Sequence, residues 1–222
     1  MTLQKAVLIT GLSEQRLSPY LRQADGDLAA ALGHYAWNLQ LSESLYPVLQ
    51  LTEVVFRNAL HQALSVEFDT PTWFHGLWLH PREQKAVDKA LGELRKRKAD
   101  TTADRTVAEL HFGFWCSLCD KRYEHQQTLW PKLFRHAPLS QMPRRHRHRP
   151  GLSRAANRLR QLRNRVFHHE PIWHWQDLPQ RHQDALALLA WLNPSVATLA
   201  TSLDRFAAVH QRGWTPMQEL SP

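Results

Sequence analysis

The sequence predicts an all-α fold of eight or nine helices. Apolar residues recur every three or four positions through most of the chain, and the alternation typical of strands is nearly absent. Only eight of the 222 residues are glycine, and no internal repeat is present. A chain of this length can bury one sizeable core. We therefore expect a single helical domain over residues 1–212 and a loose tail over 213–222.

Capping residues and prolines set the boundaries of the predicted helices. Asp27 is a suitable N-cap, and Pro47 suits a first helical turn because its missing N–H needs no partner there. Pro171 stops the helix that precedes it, and the proline-bracketed segment 138–150 is predicted to be a flexible loop. The expected helices cover residues 13–23, 28–40, 42 (or 44)–64, 81–98, 106–127, 152–169, 180–192 and 194–209.

Composition and charge narrow the functional class. The formal charge of +8 favours polyanionic partners such as RNA. No run of eighteen apolar residues exists, so we expect no transmembrane helix and no membrane partner. The N-terminus is too weakly basic and apolar for a signal peptide. A cytoplasmic location is the resulting expectation.

Several common chemistries lack their sequence motifs. The chain has no glycine-rich phosphate loop, no Gly-x-Ser-x-Gly and no His-Glu-x-x-His, which removes the usual support for ATP hydrolysis, α/β-hydrolase and metalloprotease activity. Cys116 and Cys119 would need His111 and His125 to complete a zinc site. Because they lie in an aromatic-rich helical segment, we expect buried thiols instead. No cofactor and no metal are expected.

The segment 162–173 concentrates groups that can cleave a phosphodiester. A guanidinium such as that of Arg163 holds phosphate oxygens and stabilises their transition-state charge, and an imidazole moves protons near neutral pH. The C-terminal end of a helix favours protonated histidine, which suits His168 to a general-acid role, although His169 fits equally well. Asn164 offers an amide to orient the imidazole or bind the substrate. The alternative is a solvated, frayed helix end.

Geometry limits how this segment can work alone. Arg163 and His168 are about 140° apart around an ideal helix. They converge on one phosphate only if the helix end distorts or a second element completes the site. Pro171 disfavours a helical conformation at Glu170, which favours such a distortion.

A second polar cluster lies in the long predicted helix. Glu53, Arg57 and His61 are spaced four residues apart and share one face, and Asn58 follows Arg57. We expect Glu53, Arg57 and Asn58 to support the catalytic groups. The alternative is an ordinary exposed ion pair.

The densest positive charge lies in the predicted loop just before the Arg163 helix. We expect this loop to guide RNA electrostatically, and the alternative is a solvated loop extended by charge repulsion. The expected RNA contacts are Arg144, Arg145, Arg147 and Arg149, together with Arg165 in the following helix.

Three blocks of residues together resemble the Abi-like (abortive infection) family of the HEPN superfamily, over about residues 10–210. They are YAWNLQLS at 35–42 continuing to LTEVVFRNAL at 51–60, VAELHFGFW at 107–115, and LRNRVFHHEPIW at 162–173. The resemblance implies a HEPN-like helical domain that forms homodimers. It also implies an Arg-x4–6-His motif that cuts RNA without metal in active members.

Carried onto this chain, the motif places its arginine at Arg163, its polar second residue at Asn164 and its histidine at His168. His169 also satisfies the spacing, and His169 and Glu170 are expected to give support. The resemblance thus implies an endoribonuclease toxin of antiviral defence or growth arrest, with an antitoxin or a phage-derived trigger as further partners. A non-catalytic RNA-binding module is the alternative, and a purely protein-binding helical domain is a third.

Overall fold

The computed structural model describes residues 10–216, apart from the side chain of Gln126, and within this range it contains no strand. Nine α-helices lie wholly inside it: α1 Glu14–Gln23, α2 Leu28–Glu67, α3 Pro81–Lys96, α4 Ala103–Glu109, α5 Phe112–Ser117, α6 Arg149–Phe167, α7 Leu178–Leu192, α8 Pro194–Leu203 and α9 Phe206–Arg212. The predicted all-α class with eight or nine helices is confirmed. No helix in the described range is long and apolar enough to cross a membrane.

Helix α2 is one continuous helix of 40 residues, so the predicted interruption near residue 41 is wrong. Asp27 caps it as expected, accepting a hydrogen bond from the Ala29 amide at 2.9 Å. Ser44, one of two predicted starts of a second helix, instead donates its hydroxyl to the Leu41 carbonyl at 2.8 Å inside α2. Pro47 is also accommodated within α2. Burial of one helix face against the core outweighs these local stop signals.

The helix predicted over residues 106–127 is also wrong. Helix α4 ends at Glu109, Leu110 is extended, and the imidazole of His111 caps a new, six-residue helix α5. Between α5 and α6 the chain continues through short 3₁₀ turns. The His111 Nδ1 atom accepts a hydrogen bond from the Phe114 amide at 3.1 Å. This cap supplies an N-terminus where sequence periodicity alone predicted continuity.

Two other boundaries differ from the prediction. Helix α6 begins at Arg149 because His148 caps it by accepting a hydrogen bond from the Gly151 amide at 3.1 Å, so the preceding loop is shorter than predicted. The helix predicted over 194–209 is split at the extended residue Asp204, whose carboxylate accepts from the Phe206 amide at 3.0 Å.

The described part of the predicted tail contacts α2 at Gly33 and His34, although residues 214–216 are exposed. The ring of Trp214 lies 3.9 Å from that of His34 on α2. Residues 217–222 of the predicted tail, and residues 1–9 of the predicted domain, lie outside the described residues.

The two cysteines are buried free thiols, as predicted. Burial raises the pKa of Cys116 to about 12 and also raises the pKa of Cys119. Within residues 10–216, no three His, Cys, Asp or Glu side chains are grouped so that they could hold a metal ion.

The end of α6 is fixed by a well-defined turn. His169 adopts a left-handed conformation (φ 57°), and the Glu170 amide donates to the Arg165 carbonyl at 2.9 Å. This is a Schellman-type ending, in which glycine is the preferred left-handed residue. Beyond it, the Asn38 side chain accepts from the Ile172 amide at 2.8 Å and so holds the departing chain against α2.

Candidate active site

The side chain of Arg163, a residue of α6, reaches α2. Its Nε donates to Glu53 Oε2 at 3.0 Å, and its guanidinium carbon lies 4.5 Å from the centre of the Phe167 ring. The side chains of Arg163 and Glu53 are 28% and 25% exposed. The ion pair and the ring fix the orientation of a guanidinium that still reaches solvent.

The other residues of the α2 cluster, Arg57, Asn58 and His61, follow Glu53 along the helix. Burial lowers the pKa of Arg57, and the charge of Glu53 opposes that effect. Arg57 Nε donates to Asn58 Oδ1 at 3.3 Å. His61 Nδ1 accepts from the Trp73 indole N–H at 2.9 Å, which places the proton of the neutral ring on Nε2. The structure thus brings Glu53 to Arg163, with Arg57 and His61 further along α2.

Asn164 lies on another side of α6. It lines a depression of about 350 Å³, whose other lining residues are Gln161, Arg165, Glu170, Trp175 and Arg181. Arg165 is ion-paired with Glu170, and the guanidinium carbons of Arg165 and Arg181 lie 5.7 and 4.5 Å from the centre of the Trp175 ring. Consecutive helical residues diverge by about 100°, so Asn164 does not share a surface with Arg163.

Both candidate imidazoles are exposed at the end of α6. His168 is the C-cap, and its amide donates to the Asn164 carbonyl at 2.9 Å. Among the residues that the structure describes, no hydrogen bond or ion pair joins the His168 ring to Arg163. The backbone carbonyl of His169 accepts from Arg16. Within a single chain, the motif's guanidinium and imidazole therefore make no direct contact.

A partly apolar surface adjoins Arg163. The rings of Tyr46 and Phe167 lie 5.6 Å apart, and these residues are 47% and 36% exposed. Arg163 packs on Phe167, so the guanidinium and this aromatic pair form one continuous surface.

The arginines of the basic loop divide into two groups. Arg147 donates to the Ser140 carbonyl at 2.6 Å, and Arg149 donates to Glu124 at 2.7 Å and to the Cys119 carbonyl at 3.1 Å. These contacts hold the loop to the body of the protein. Arg144 and Arg145 are exposed. The neighbouring His146 ring stacks on Trp191 with 4.1 Å between centroids.

A group of basic residues around His111 was not predicted from the sequence. Burial, followed by the charges of Lys89 and Arg82 on α3 and of Arg163 on α6, lowers the pKa of His111 at the start of α5. The seven-residue spacing of Arg82 and Lys89 was visible and predicts a shared helix face. The direction in which that face points depends on tertiary packing and was not visible.

No protein-family model, no curated protein and no solved structure matches this chain. The resemblance to the Abi-like family remains a prediction based on the residues themselves.

Proposed function

We propose that this protein is a metal-independent endoribonuclease. The observation that carries the proposal is Arg163, a guanidinium held by Glu53 and Phe167, partly open to solvent, and one turn from a helix end that carries two exposed imidazoles. A positioned guanidinium and an imidazole are the groups that phosphodiester cleavage by an internal nucleophile requires.

In the proposed reaction, the ribose 2′-hydroxyl attacks the adjacent phosphorus, losing its proton to solvent or to a neighbouring base. The bond from phosphorus to the 5′-oxygen breaks, and His168 donates a proton to that oxygen. Arg163 stabilises the charge that develops on the non-bridging oxygens. The products carry a 2′,3′-cyclic phosphate and a 5′-hydroxyl. Acid–base help of this kind is typically worth about 10²–10⁴-fold in rate.

The proposal includes a homodimer. Arg163 and His168 diverge by about 140° around α6 and make no contact within one chain, so the proposal assigns the imidazole that completes each site to a second copy. The exposed Tyr46–Phe167 surface beside Arg163 supports this arrangement, since a surface of this kind favours protein contact. An antitoxin or phage-derived trigger, and a role in phage defence or growth arrest, follow only from the family resemblance.

A second candidate is an RNA-binding module without cleavage. Two observations favour it: Arg163 is already neutralised by Glu53, and the catalytic pair is not assembled in one chain. It predicts salt-sensitive RNA binding with no cleavage at any protein concentration.

The proposal is tested by incubating the purified protein with total RNA and tRNA in EDTA. Parallel reactions use Arg163→Lys, His168→Ala and His169→Ala proteins that have been checked for folding by circular dichroism. We expect cleavage with cyclic-phosphate ends by the parent and by His169→Ala, and little or none by the other two. Cleavage by all four at equal rates would place the activity elsewhere. Salt-sensitive binding without cleavage by the parent would favour the binding module.

A further inference from the structure

Helix α3 carries a basic stripe and packs against α5, the helix that His111 caps. Arg82 and Lys89 are two helical turns apart on one face, and both are exposed. Neither side chain forms an ion pair with an acid in the described part of the chain. Glu93, one turn further along, is hydrogen-bonded to Lys96 at 2.8 Å. The stripe therefore has positive charge that is not neutralised by direct pairing.

His111 connects this stripe to Arg163. Helix α5 packs against α6, where the Cys116 thiol donates to the Ala156 carbonyl at 3.6 Å. It also packs against α2, where the rings of Phe112 and Phe56 are 5.7 Å apart. Burial, followed by the charges of Lys89, Arg82 and Arg163, lowers the pKa of His111. The imidazole is thus influenced by positive charges on both α3 and α6.

Local hydrogen bonding decides what His111 offers to a ligand. Its Nδ1 accepts the Phe114 amide hydrogen, so the neutral ring carries its proton on Nε2. Gly113 makes room for this arrangement, since a Cβ at that position would lie 3.1 Å from Nδ1. His111 is therefore held as an uncharged Nε2–H donor next to three cations.

Two arginines of the basic loop are less suited to the same task. Arg147 and Arg149 would have to give up their bonds to Ser140, Glu124 and Cys119 before they could hold phosphates. Releasing those bonds offsets part of what a phosphate contact contributes. The α3 stripe needs no such release. Within the loop, Arg144 is exposed and, among the described residues, the Arg145 side chain is bonded only to His146, so these two arginines are the loop's competing phosphate contacts.

We propose that single-stranded RNA reaches Arg163 across the surface formed by Arg82, Lys89 and His111. The two α3 cations neutralise phosphates, and His111 donates an uncharged hydrogen bond to a phosphate oxygen between the stripe and Arg163. The inference rests on the proposed function and names the path of its substrate.

The test measures binding of a short single-stranded RNA, made uncleavable by 2′-O-methylation, by fluorescence anisotropy over a range of salt. The test variant is Arg82→Gln with Lys89→Gln, and the control is Arg95→Gln, an exposed arginine about 120–140° around the same helix from the stripe. Each phosphate contact on a single strand contributes about 0.7 to the slope of log K against log salt. We therefore expect the magnitude of this slope to fall by about 1.4 in the double variant, which loses two contacts, and to stay unchanged in Arg95→Gln.

The variant His111→Asn tests whether His111 contributes to RNA binding as a neutral hydrogen-bond donor or as a cation. Asparagine preserves the N-cap but shortens the donor, so we expect several-fold weaker binding at every salt concentration with an unchanged slope. A structural role for His111 would instead appear as lost stability with normal RNA affinity, and that result would contradict its assigned part.

Two further outcomes would overturn the inference. If the α3 double variant binds like the parent while Arg144→Gln with Arg145→Gln loses salt dependence, the RNA path runs over the loop and the proposed function stands. If the parent binds no RNA, both the path and the proposed function are wrong.

Discussion

The contact between Arg163 and Glu53 can be measured by a double-mutant cycle in stability. The changes are Glu53→Gln, Arg163→Gln and both together, which remove the charges with little change of shape. The Glu43–Arg205 ion pair is a matched control, because it also joins α2 to a distant segment at 2.8 Å, but both of its side chains are 67% exposed. The cycle isolates the pairwise free energy from other effects of each substitution.

The degree of burial sets the expected magnitudes. A hydrogen bond to a charged group contributes about 1.5–3 kcal/mol when buried, whereas an exposed ion pair contributes about 0.2–1 kcal/mol. At roughly one-quarter exposure, the Arg163–Glu53 pair should give a coupling of about 1–2 kcal/mol. The control pair should give about 0.3 kcal/mol. The Phe167 contact adds about 0.5–1 kcal/mol to the single Arg163 substitution but cancels in the cycle.

Urea unfolding, followed by tryptophan fluorescence and circular dichroism, provides the free energies. The m-values of all variants must agree for the cycle to be read as a difference in stability. A coupling for Arg163–Glu53 no larger than that of Glu43–Arg205 would refute the placement of Arg163 between α6 and α2.

Three further predictions concern stability. His169→Gly should stabilise the fold by about 0.5–1 kcal/mol, because His169 has a left-handed backbone (φ 57°) that glycine adopts more readily. His168→Gly should not stabilise it, and urea unfolding distinguishes the two variants. A lower free energy of unfolding in His169→Gly would contradict the described turn. Gly33→Ala should lower the free energy of unfolding, since the new Cβ would collide with the Thr215 carbonyl oxygen. An increase of about 1 kcal/mol, the ordinary effect of helix propensity, would mean that the segment containing Thr215 does not pack against α2. The free energy of unfolding should fall as the pH drops below about 6.5. Burial lowers the pKa of several histidines in the folded protein, His182 included, so the unfolded state binds more protons at these pH values. Unchanged stability at pH 5.5 would contradict this prediction.

The fold class was predictable because it depends on periodicity, which the sequence shows directly. Boundaries were less predictable, since they depend on competition between local caps and tertiary burial. Ser44 and Pro47 resemble the start of a helix, yet the packed face of α2 continues through them. His111 is the opposite case, because an uncommon capping residue begins a new helix directly after Leu110 ends the previous one.

The candidate site was predictable where helical spacing alone decides position. The four-residue spacing of Glu53 and Arg57 predicted a shared face, and the structure places Glu53 against Arg163. Partners that are distant in sequence were not predictable. Arg149 is held by a carbonyl 30 residues away, and no local pattern shows which exposed arginines are already engaged.

In the proposed homodimer, Arg163 of one copy and His168 of the other act together on the same RNA. Complementation tests this arrangement most directly: Arg163→Ala and His168→Ala proteins are unfolded, mixed in equal amounts, refolded together and assayed on tRNA in EDTA. We expect no cleavage by either alone and about a quarter of the parental rate from the mixture, because half of the random dimers are mixed and each has one intact site of two. A mixture as inactive as its components, with dimers shown to form, would contradict a shared site, and full activity in either single variant would contradict the assignment of its residue.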